Sequence, residues 1–584
     1  MTKQVSKIQK YLKKNDFDAF LVPRTDEYLS EYVAPYAERL KWISNFSGSA
    51  GIAVILRDKA AIFVDGRYTL QVAKQVNKKT FSIHSIKNYY EWLKKQLPNN
   101  STIAIDSWLF SKKTIDTMKK QFAGKKINLH FVKKNPIDLL WSNQPKKVIS
   151  KAFLHNIKFA GQTIEKKIQK IKKELIKKKC DYYILSSLDS IAWILNLRGS
   201  DIKYTPLNFA YLILSCRKKS ILYIDLKKIN KSVKKKLSKQ VDISNNNKIL
   251  KDIQNIDSNK IIGFDENRTP YWFVNQLKIR NIKYKIIEDP CYLSKAIKNK
   301  TEINGAKKAN IRDGVSVTKF LYWLKNQITF KKLNEISAAK KLLNIRKKNE
   351  LFFSPSFETI SAFGAHAALP HYMVSIKSNV SLSKNNIYLV DSGGQYFDGT
   401  TDITRTVILG KANNKQKELF TRVLKGHIAL ATVKFNSKTR GSKIDYIARK
   451  SLKEINCDYD HGTGHGIGSF LGVHEGPQRI FKSKKANDVY LQPGMILSNE
   501  PGYYKINEFG IRIENLILVK KQNNNICFET ISWSPIDKDL ILSKLLNDFE
   551  KNWLNNYHQT VYKKISNYLT YKEKKWLKNV TQPI

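Results

Sequence analysis

Residues 388–406, YLVDSGGQYFDGTTDITRT, place two carboxylates, Asp391 and Asp402, eleven residues apart within strand-like sequence. On one straight strand this odd offset would put the two side chains on opposite faces, roughly 36 Å apart at about 3.3 Å per residue. They can meet only if the chain folds back on itself. The Asp398-Gly399 pair between two β-rich runs is a hairpin signal, and we expect a bulge or a longer loop to adjust the register.

Four segments further along the chain carry polar residues in glycine-rich or strand-like sequence. They are HGTGHGIG at 461–468, VHEG at 473–476, NEPG at 499–502 and IRIEN at 511–515. The spacing of His461 and His465 would suit a helical zinc site, but the interleaved glycines argue against a helix and predict loop histidines. Glu500 precedes a proline and should be extended, whereas Glu514 is expected on a strand whose other face is apolar.

Asp391, Asp402, Glu500 and Glu514 would together bring four negative charges into apolar strand surroundings. Such a cluster is very unfavourable unless cations neutralise it, and two divalent ions do so by charge count. Oxygen-rich ligation with one imidazole favours a hard or borderline ion such as Mn²⁺, Co²⁺ or Zn²⁺. Each carboxylate taken singly is more simply an ordinary surface acid or a helix N-cap. The ordered set Asp, Asp, His, Glu, Glu indicates a metal centre.

These segments resemble the metal site of the pita-bread metallopeptidases, peptidase family M24. The matching runs are VDSG at 390–393, HGTGHG at 461–466, VHEGP at 473–477 and EPGYY at 500–504. The sequences of these runs most resemble those of the three-domain Xaa-Pro aminopeptidases, the cytosolic type of aminopeptidase P. The resemblance covers nearly the whole chain and is strongest from Thr301 onward.

The resemblance implies a role for each residue of the proposed centre. Asp391 and Asp402 would hold one ion, and Asp402, His465, Glu500 and Glu514 would hold the other. Asp402 and Glu514 would bridge the two ions, and Glu500 would accept the proton of the attacking water. The implied cofactor is a pair of divalent ions, with Mn²⁺ favoured and Co²⁺ or Zn²⁺ as alternatives.

The resemblance also implies residues on the substrate side. The implied catalytic residues are His371, His474, Glu500, Tyr504 and Arg512, the last two forming a hydrogen-bond relay to the Asp391 side. The residues implied to contact substrate are Arg67, His371, His461 and His474. Without the family, a lone histidine such as His371 is more simply a structural hydrogen bonder, and we place His366 and His427 in that class.

The patterning predicts an α/β (α+β) chain with several domains. A length of 584 residues with 42% hydrophobic content is ample for separate cores. WISNFSGS at 42–49 echoes WILNLRGS at 193–200, which indicates two related α/β domains. With the resemblance, we expect a creatinase-like domain at 1–150, a second at 151–297, and a pita-bread catalytic domain at 298–584 with a helical extension over about 537–584.

Composition argues against several other classes. The formal charge of +55 would suggest nucleic acid or an anionic membrane. However, the lysines are spread along the whole chain without an aromatic-interleaved basic motif, so we expect no specific nucleic-acid partner. The five cysteines are scattered without CxxC spacing, which fits a reducing compartment. No run of about 18 apolar residues occurs, so we expect a cytoplasmic protein without a membrane partner.

The chain is therefore expected to be a metal-dependent aminopeptidase that acts on peptides with an Xaa-Pro N-terminus and removes the residue before proline. The aromatic C-terminal helices are expected either in the core or at an interface. The family suggests a homodimer with a contact there. The main alternative is a prolidase, which cuts only dipeptides. A metal-free creatinase-like hydrolase and a non-catalytic peptide- or histone-binding module are weaker alternatives, because the full ligand set is present.

Overall fold

The computed structural model describes residues 2–327, 332–482 and 488–584. The chain forms two compact units, Met1–Leu154 with Gln162–Cys291 and His155–Gly161 with Tyr292–Ile584. The exact boundaries of the three expected domains stay a prediction. Within the described residues, no helix combines the length and the apolar character needed to cross a membrane.

The first unit contains two six-stranded sheets and one short strand pair. The first sheet consists of β1 Ala19–Pro23, β2 Ile52–Leu56, β3 Ala60–Val64, β4 Phe81–Ser85, β5 Thr102–Ile105 and β6 Asn128–Phe131. The short pair is β7 Phe153–Leu154 with β9 Leu197–Arg198. The second sheet consists of β8 Tyr182–Leu185, β10 Ala210–Ser215, β11 Ser220–Ile224, β12 Val241–Ser244, β13 Ile261–Phe264 and β14 Lys283–Ile286.

The two sheets have the same strand order. It is β4-β3-β2-β1-β5-β6 in the first sheet and β12-β11-β10-β8-β13-β14 in the second. The strand directions also agree. In the first sheet β1 pairs antiparallel with β2 and parallel with β5, and in the second sheet β8 pairs antiparallel with β10 and parallel with β13. The prediction of two related α/β domains from the sequence echo is confirmed.

Amphipathic helices cover these sheets. The helices of the first unit are α1 Lys3–Lys14, α2 Arg39–Ser44, α3 Thr69–Gln75, α4 Tyr89–Gln96, α5 Lys112–Phe122, α6 Pro136–Leu140, α8 Ile164–Lys177, α9 Leu188–Ile194, α10 Lys231–Leu237, α11 Ile249–Gln254 and α12 Tyr271–Ile279. The short helix α7 Ile157–Ala160 belongs to the second unit. Helix α8 shows the pattern: Thr163 caps its first turn, and Ile168, Ile171 and Leu175 form one buried face.

The second unit combines short antiparallel sheets with long helices. Its strands are β15 Phe352–Pro355, β16 Ile360–Phe363, β17 Asn386–Ser392, β18 Gly394–Tyr396, β19 Gly399–Thr400, β20 Ile403–Leu409, β21 Gly464–His465, β22 Arg479–Ile480, β23 Ile496–Asn499, β24 Gly502–Lys505, β25 Phe509–Arg512, β26 Asn515–Gln522 and β27 Asn525–Thr530. The helices from residue 290 onward are α13 Pro290–Ala296, α14 Lys300–Gln327, α15 Glu335–Arg346, α16 Asn414–Thr432, α17 Asp445–Lys453, α18 Asp548–Ile565 and α19 Tyr571–Val580.

Helix α16 organises the core of the second unit. Asn413 and Gln416 form a capping box at its start. Its buried face shares one apolar cluster with strand β25 and helix α18, to which Val423, Ile511 and Leu554 belong. The aromatic C-terminal helices therefore contribute to the core, while Tyr568 and Tyr571 remain 61% and 80% exposed.

Candidate metal centre

The hairpin that contains β17 and β20 places Asp391, in β17, and Asp402, directly before β20, on one face. Asp391 pairs with Thr404, and the same register continues to the tight end, where Tyr396 pairs with Gly399. Opposite residues share a face, and Asp402 lies two residues before Thr404, so both carboxylates lie on the same side. The expected adjustment of the register was wrong. The two-residue loop between Tyr396 and Gly399 places odd-numbered residues of one strand opposite even-numbered residues of the other. Asp391 and Asp402 therefore share a face without a bulge.

Strands β23 and β26 bring Glu500 and Glu514 together. The two strands pair antiparallel with Asn499 opposite Asn515. Glu500 directly follows Asn499, and Glu514 directly precedes Asn515. Both glutamates therefore lie at the same end of this strand pair. Glu514 belongs to the connection between β25 and β26, not to a strand as the alternation of apolar residues suggested.

The backbone geometry around His465 leaves one ring nitrogen directed at the carboxylates. Its Nδ1 lies 3.1 Å from the carbonyl oxygen of Gly466, which requires a proton on Nδ1. The other nitrogen, Nε2, lies 3.5 Å from Asp402 Oδ2 and 3.4 Å from Glu500 Oε1. In this tautomer the Nε2 lone pair is available to a metal ion. His461 lies in a loop as predicted, whereas His465 occupies the two-residue strand β21.

Two glycines allow the backbone to approach closely beside the candidate ligands. A Cβ atom on Gly393 would lie 1.9 Å from the carbonyl oxygen of Thr401. A Cβ atom on Gly464 would lie 2.1 Å from the carbonyl oxygen of Ser498. Both separations are far below van der Waals contact, so only glycine fits at these positions.

Three candidate ligands have donor atoms within 4.8 Å of one another, namely Asp402, His465 and Glu514. Burial raises the pKa of Asp402 and of Glu514 well above their ordinary values, and repulsion between neighbouring carboxylates adds to it. Burial likewise raises the pKa of Glu500 to about 7, although Arg512 opposes this shift. These groups are costly to ionise together unless a cation accompanies them.

Asp391 supplies a further indication of a cation-binding site. Its Oδ2 accepts a hydrogen bond of 2.6 Å from Arg512 Nη2. Its Oδ1 is buried and has no hydrogen-bond partner among the described residues. A buried carboxylate oxygen rarely lacks a partner in a native protein. The donor set of two aspartates, two glutamates and one imidazole therefore fits hard or borderline divalent ions.

Tyr504 and Arg512 connect Asp391 to His461. Arg512 Nη1 donates to Tyr504 Oη at 2.7 Å, and Tyr504 Oη lies 2.7 Å from His461 Nε2. His461 Nδ1 lies 2.7 Å from the carbonyl oxygen of Gly462, so Nδ1 carries a proton. In the neutral ring, Tyr504 then donates to Nε2 while it accepts from Arg512. Burial raises the pKa of Tyr504 to about 12, which keeps this hydroxyl protonated.

His474 lies beside the candidate centre. Its ring is 4.3 Å from the ring of His465, centroid to centroid, at an interplanar angle of 80°. The next residue, Glu475, is buried with two lysines: Lys298 Nζ lies 3.0 Å from Glu475 Oε1, and Lys295 Nζ lies 3.4 Å from Oε2. This three-charge cluster fixes the backbone next to His474.

His371 and Arg67 lie outside the cluster of candidate ligands. His371 is half-buried and follows the turn Gly364–Ala368 after strand β16. Arg67 belongs to the first unit, where its guanidinium binds both carboxylate oxygens of Asp65 at 3.0 and 2.7 Å. Their roles toward a substrate stay predictions.

A buried carboxylate anchors the segment that carries His371. Glu335 is 0% exposed and accepts hydrogen bonds from Phe363 N at 2.8 Å and Tyr372 Oη at 3.0 Å. His366 Nδ1 also lies 2.9 Å from Glu335 Oε1. Sequence reasoning missed this anchor, because Glu335 looks like an ordinary acidic residue in the first turn of a helix.

Two hydroxyl residues that support the candidate ligands were also missed. Ser498 Oγ donates to Glu500 Oε1 at 3.0 Å, and Thr404 Oγ1 donates to Glu514 Oε2 at 2.7 Å. A signal was available in both cases, since each hydroxyl residue lies two positions from a candidate ligand, Ser498 before Glu500 and Thr404 after Asp402. On an extended chain, residues two apart share a face.

Comparison with known sequences gives family matches over most of the chain. The pattern of metallopeptidase family M24 matches residues 304–521, and its C-terminal region matches 524–584. The creatinase/prolidase N-terminal domain matches residues 4–133 and again 143–302. A protein of Paracoccidioides brasiliensis named "Probable Xaa-Pro aminopeptidase P" is 37% identical over 611 aligned residues, covering 100% of this chain and 99% of that protein. The chain belongs to metallopeptidase family M24.

Two solved structures are similar to this chain. An X-prolyl aminopeptidase from Caenorhabditis elegans, described as a cytosolic enzyme with a di-nuclear active site, is 31% identical with a TM-score of 0.95, covering 100% of both chains. A Xaa-Pro dipeptidase from Bacillus anthracis is 23% identical with a TM-score of 0.52, covering 64% of this chain and 99% of that chain. The second likeness shows the shared fold alone.

The candidate site combines cation-binding oxygens with groups that can carry protons. Asp402, His465 and Glu514 form the polar cluster, Glu500 lies 3.4 Å from His465, and His474 and the Tyr504–Arg512 pair lie beside it. This arrangement can hold divalent ions, accept a proton from water and donate one to a leaving nitrogen. These are the requirements of metal-dependent amide hydrolysis.

Proposed function

We propose that this chain is a metal-dependent aminopeptidase that removes the N-terminal residue from peptides with proline at position two. The cluster of Asp402, His465 and Glu514, with donor atoms within 4.8 Å, is the observation that carries the proposal. The full-length likeness to proteins named Xaa-Pro aminopeptidase supports the substrate class.

The proposed cofactor is a pair of divalent ions, with Mn²⁺ favoured over Co²⁺ and Zn²⁺. The residues that would hold them are Asp391, Asp402, His465, Glu500 and Glu514. When bound, such ions polarise the scissile carbonyl and lower the pKa of a water molecule. Two observations support this assignment: the oxygen-rich donor set, and the absence of a hydrogen-bond partner for Asp391 Oδ1 among the described residues.

The protein groups have separate tasks in the proposed reaction. Glu500, held by Ser498 Oγ at 3.0 Å, accepts the proton of the attacking water. Arg512 and Tyr504 hold Asp391 in place and extend its hydrogen bonds to His461. His474 and His371 bind the substrate and supply a proton to the departing nitrogen.

The chemistry of an Xaa-Pro bond explains the proposed preference. The amide before proline is tertiary and has no N–H, so a site that required that donor would reject it. The departing proline nitrogen must be protonated, which suits a neighbouring imidazole. Arg67 is proposed to contact the substrate further from the scissile bond, which would favour peptides longer than two residues.

A comparison of Xaa-Pro dipeptides with Xaa-Pro-Xaa tripeptides in the presence of Mn²⁺ tests the proposal. We expect release of the first residue from the tripeptide and from longer peptides. Cleavage of the dipeptide alone would indicate the prolidase alternative. A tripeptide with alanine in place of proline serves as the control for specificity, and metal analysis of the purified protein identifies the native ions.

We further propose that the enzyme is a cytoplasmic homodimer that acts on free peptides. The name of the Caenorhabditis elegans relative as a cytosolic enzyme supports the compartment. Exposed aromatic side chains at Tyr568 and Tyr571 support a contact in the C-terminal helices. Light scattering after gel filtration measures the oligomeric state, and a monomer at micromolar concentration would refute the dimer.

A further inference from the structure

His427 is a buried histidine of helix α16 that contacts the strands on which two candidate ligands depend. The residue is 0% exposed. Its Nδ1 lies 3.1 Å from the carbonyl oxygen of Asn499, and its Nε2 lies 3.2 Å from Asn515 Nδ2. Its own carbonyl oxygen accepts a hydrogen bond of 2.9 Å from Asn499 Nδ2.

These contacts define a single protonation state of the ring. A carbonyl oxygen can only accept, so Nδ1 of His427 carries the proton, and Nε2 accepts from the amide of Asn515. Burial lowers the pKa of His427 to about 3, and the nearby Arg405 adds to the effect. The ring is therefore neutral, and each of its nitrogens has a hydrogen-bond partner.

Both asparagines are chain neighbours of candidate metal ligands. Asn499 immediately precedes Glu500, Asn515 immediately follows Glu514, and the two asparagines face each other across β23 and β26. The ring of His427 thus links the end of β23 to the start of β26, directly beside Glu500 and Glu514. On its other side, Asn515 is fixed by Arg405, whose Nη2 donates to Asn515 Oδ1 at 2.8 Å.

We propose that His427 is a positioning residue that sets the separation of Glu500 and Glu514 and thereby the metal affinity of the centre. The inference rests on the proposed function, because it takes the two glutamates as ligands. His427 itself touches neither the ions nor the substrate. Without the ring, Asn499 and Asn515 would lose their shared side-chain partner, and the backbone pairing of β23 with β26 alone would hold the two carboxylates less precisely.

The test compares His427→Leu with His558→Leu. His558 is equally buried, its pKa is also lowered to about 3 by burial, and its Nε2 accepts a hydrogen bond of 3.1 Å from Ile536 N, away from Glu500 and Glu514 in sequence. Mn²⁺ is titrated into chelator-treated protein by calorimetry. We expect an affinity loss of at least about tenfold for His427→Leu and less than about twofold for His558→Leu.

Thermal unfolding and kinetics separate positioning from general destabilisation. Both variants should unfold at lower temperature than the wild type, since each leaves a buried polar group unpaired. Only His427→Leu should need more Mn²⁺ for half-maximal activity, and its kcat should recover in part when Mn²⁺ is saturating. Equal metal affinities for the two variants would overturn the proposal and leave His427 a structural residue.

A second variant keeps the test decisive if His427→Leu does not fold. His427→Gln retains one hydrogen-bond donor and one acceptor, but at different distances from the backbone than in histidine. It should lower the Mn²⁺ affinity measurably, and by less than His427→Leu does. Unchanged affinity in this variant, with normal folding, would also overturn the proposal. Failure of the wild-type protein to bind Mn²⁺, Co²⁺ or Zn²⁺ would instead refute the proposed function.

Discussion

Loss of the negative charge of Glu514 should impair the proposed metal centre more than loss of any other carboxylate. As a bridging ligand it would contribute to both ions, so Glu514→Gln should reduce activity by more than about a thousandfold. Thr404 Oγ1 can still donate to the amide oxygen of the variant, so the fold should persist. Metal analysis and circular dichroism check the two expectations.

Glu529→Gln is a matched control for this change. Glu529 lies on strand β27 and pairs with Lys307 and Lys520, not with the candidate ligands. This variant should keep its metal content and its turnover. If Glu514→Gln behaved like the control, with two ions bound and near-normal turnover, the bridging role would be wrong.

The histidines of the site should fall into two groups. His465→Ala should lose metal, because its Nε2 is directed at Asp402 and Glu500. His474→Ala and His371→Ala should keep metal but lose turnover by about a hundredfold or more, since both are assigned to substrate and proton handling. Metal content and kcat measured on the same preparations decide between the groups, and equal metal loss in all three variants would remove the distinction.

The candidate ligands were predicted from sequence, whereas the groups that support them were missed. Asp391, Asp402 and His465 stand in short glycine-rich or strand-like runs whose residue types already indicate chemistry. Ser498 and Thr404 are common residues whose importance depends on one hydrogen bond each, to Glu500 and Glu514. The spacing of Ser498 from Glu500 was a local signal that was overlooked, whereas the contact of Thr404 with Glu514 joins residues 110 apart and follows from the tertiary fold.

At the scale of elements, the start of helix α15 controls the segment that carries His371. Glu335→Gln should loosen this segment, because an amide cannot accept from Phe363 N, Tyr372 Oη and a histidine as well as a carboxylate does. We expect kcat/KM to fall about tenfold or more with no loss of bound metal. Activity assays and metal analysis on the same sample test this.

Glu302→Gln is the appropriate control for Glu335→Gln. Glu302 is also a buried carboxylate in the first turn of a helix, and it accepts hydrogen bonds from the backbone N and the side-chain amide of Asn299. This variant should lose some stability and keep its turnover. A similar loss of kcat/KM in both variants would show that Glu335 acts through stability alone.

The hairpin of β17 and β20 shows where element-level prediction succeeded and where it failed. The need for the chain to reverse between Asp391 and Asp402 followed from their spacing and is confirmed. The predicted bulge is absent from the hairpin. Which residues face each other across the two strands depends on the length of the loop, and the Asp398-Gly399 signal alone did not determine that length.

For the whole molecule, removal of metal should make stability depend on pH. In the ion-free protein the pKa values of Asp402, Glu500 and Glu514 are raised, so the folded state binds protons more tightly than the unfolded chain. The stability that these three carboxyl groups contribute is fully present at a pH below the ordinary carboxylate pKa. It is lost as the pH rises through their raised pKa values, which for Glu500 is about 7. Bound cations remove this dependence.

Thermal unfolding with and without EDTA at pH 6 and pH 8 measures this effect. EDTA should lower the unfolding temperature by several degrees, and the decrease should be larger at pH 8. Readdition of Mn²⁺ should restore both stability and activity. Equal decreases at the two pH values would indicate that the carboxylates do not ionise together in the ion-free protein.

Global architecture was the part most readily predicted from sequence. The echo between residues 42–49 and 193–200 predicted two related domains, and the two sheets share one strand order. The division into two compact units was not predicted, because it depends on which surfaces pack together and not on local pattern.

The two strand pairs that supply the carboxylates also determine when the site can form during folding. Thr404 and Glu514, which join the pairs, are 110 residues apart in sequence, and Asp391 and Arg512 are 121 apart. Contacts over such separations form late, because a long loop must first be closed. Metal uptake should therefore mark the end of refolding and lag behind the far-ultraviolet signal in stopped-flow experiments. Simultaneous recovery of the two signals would show that the strand pairs meet early.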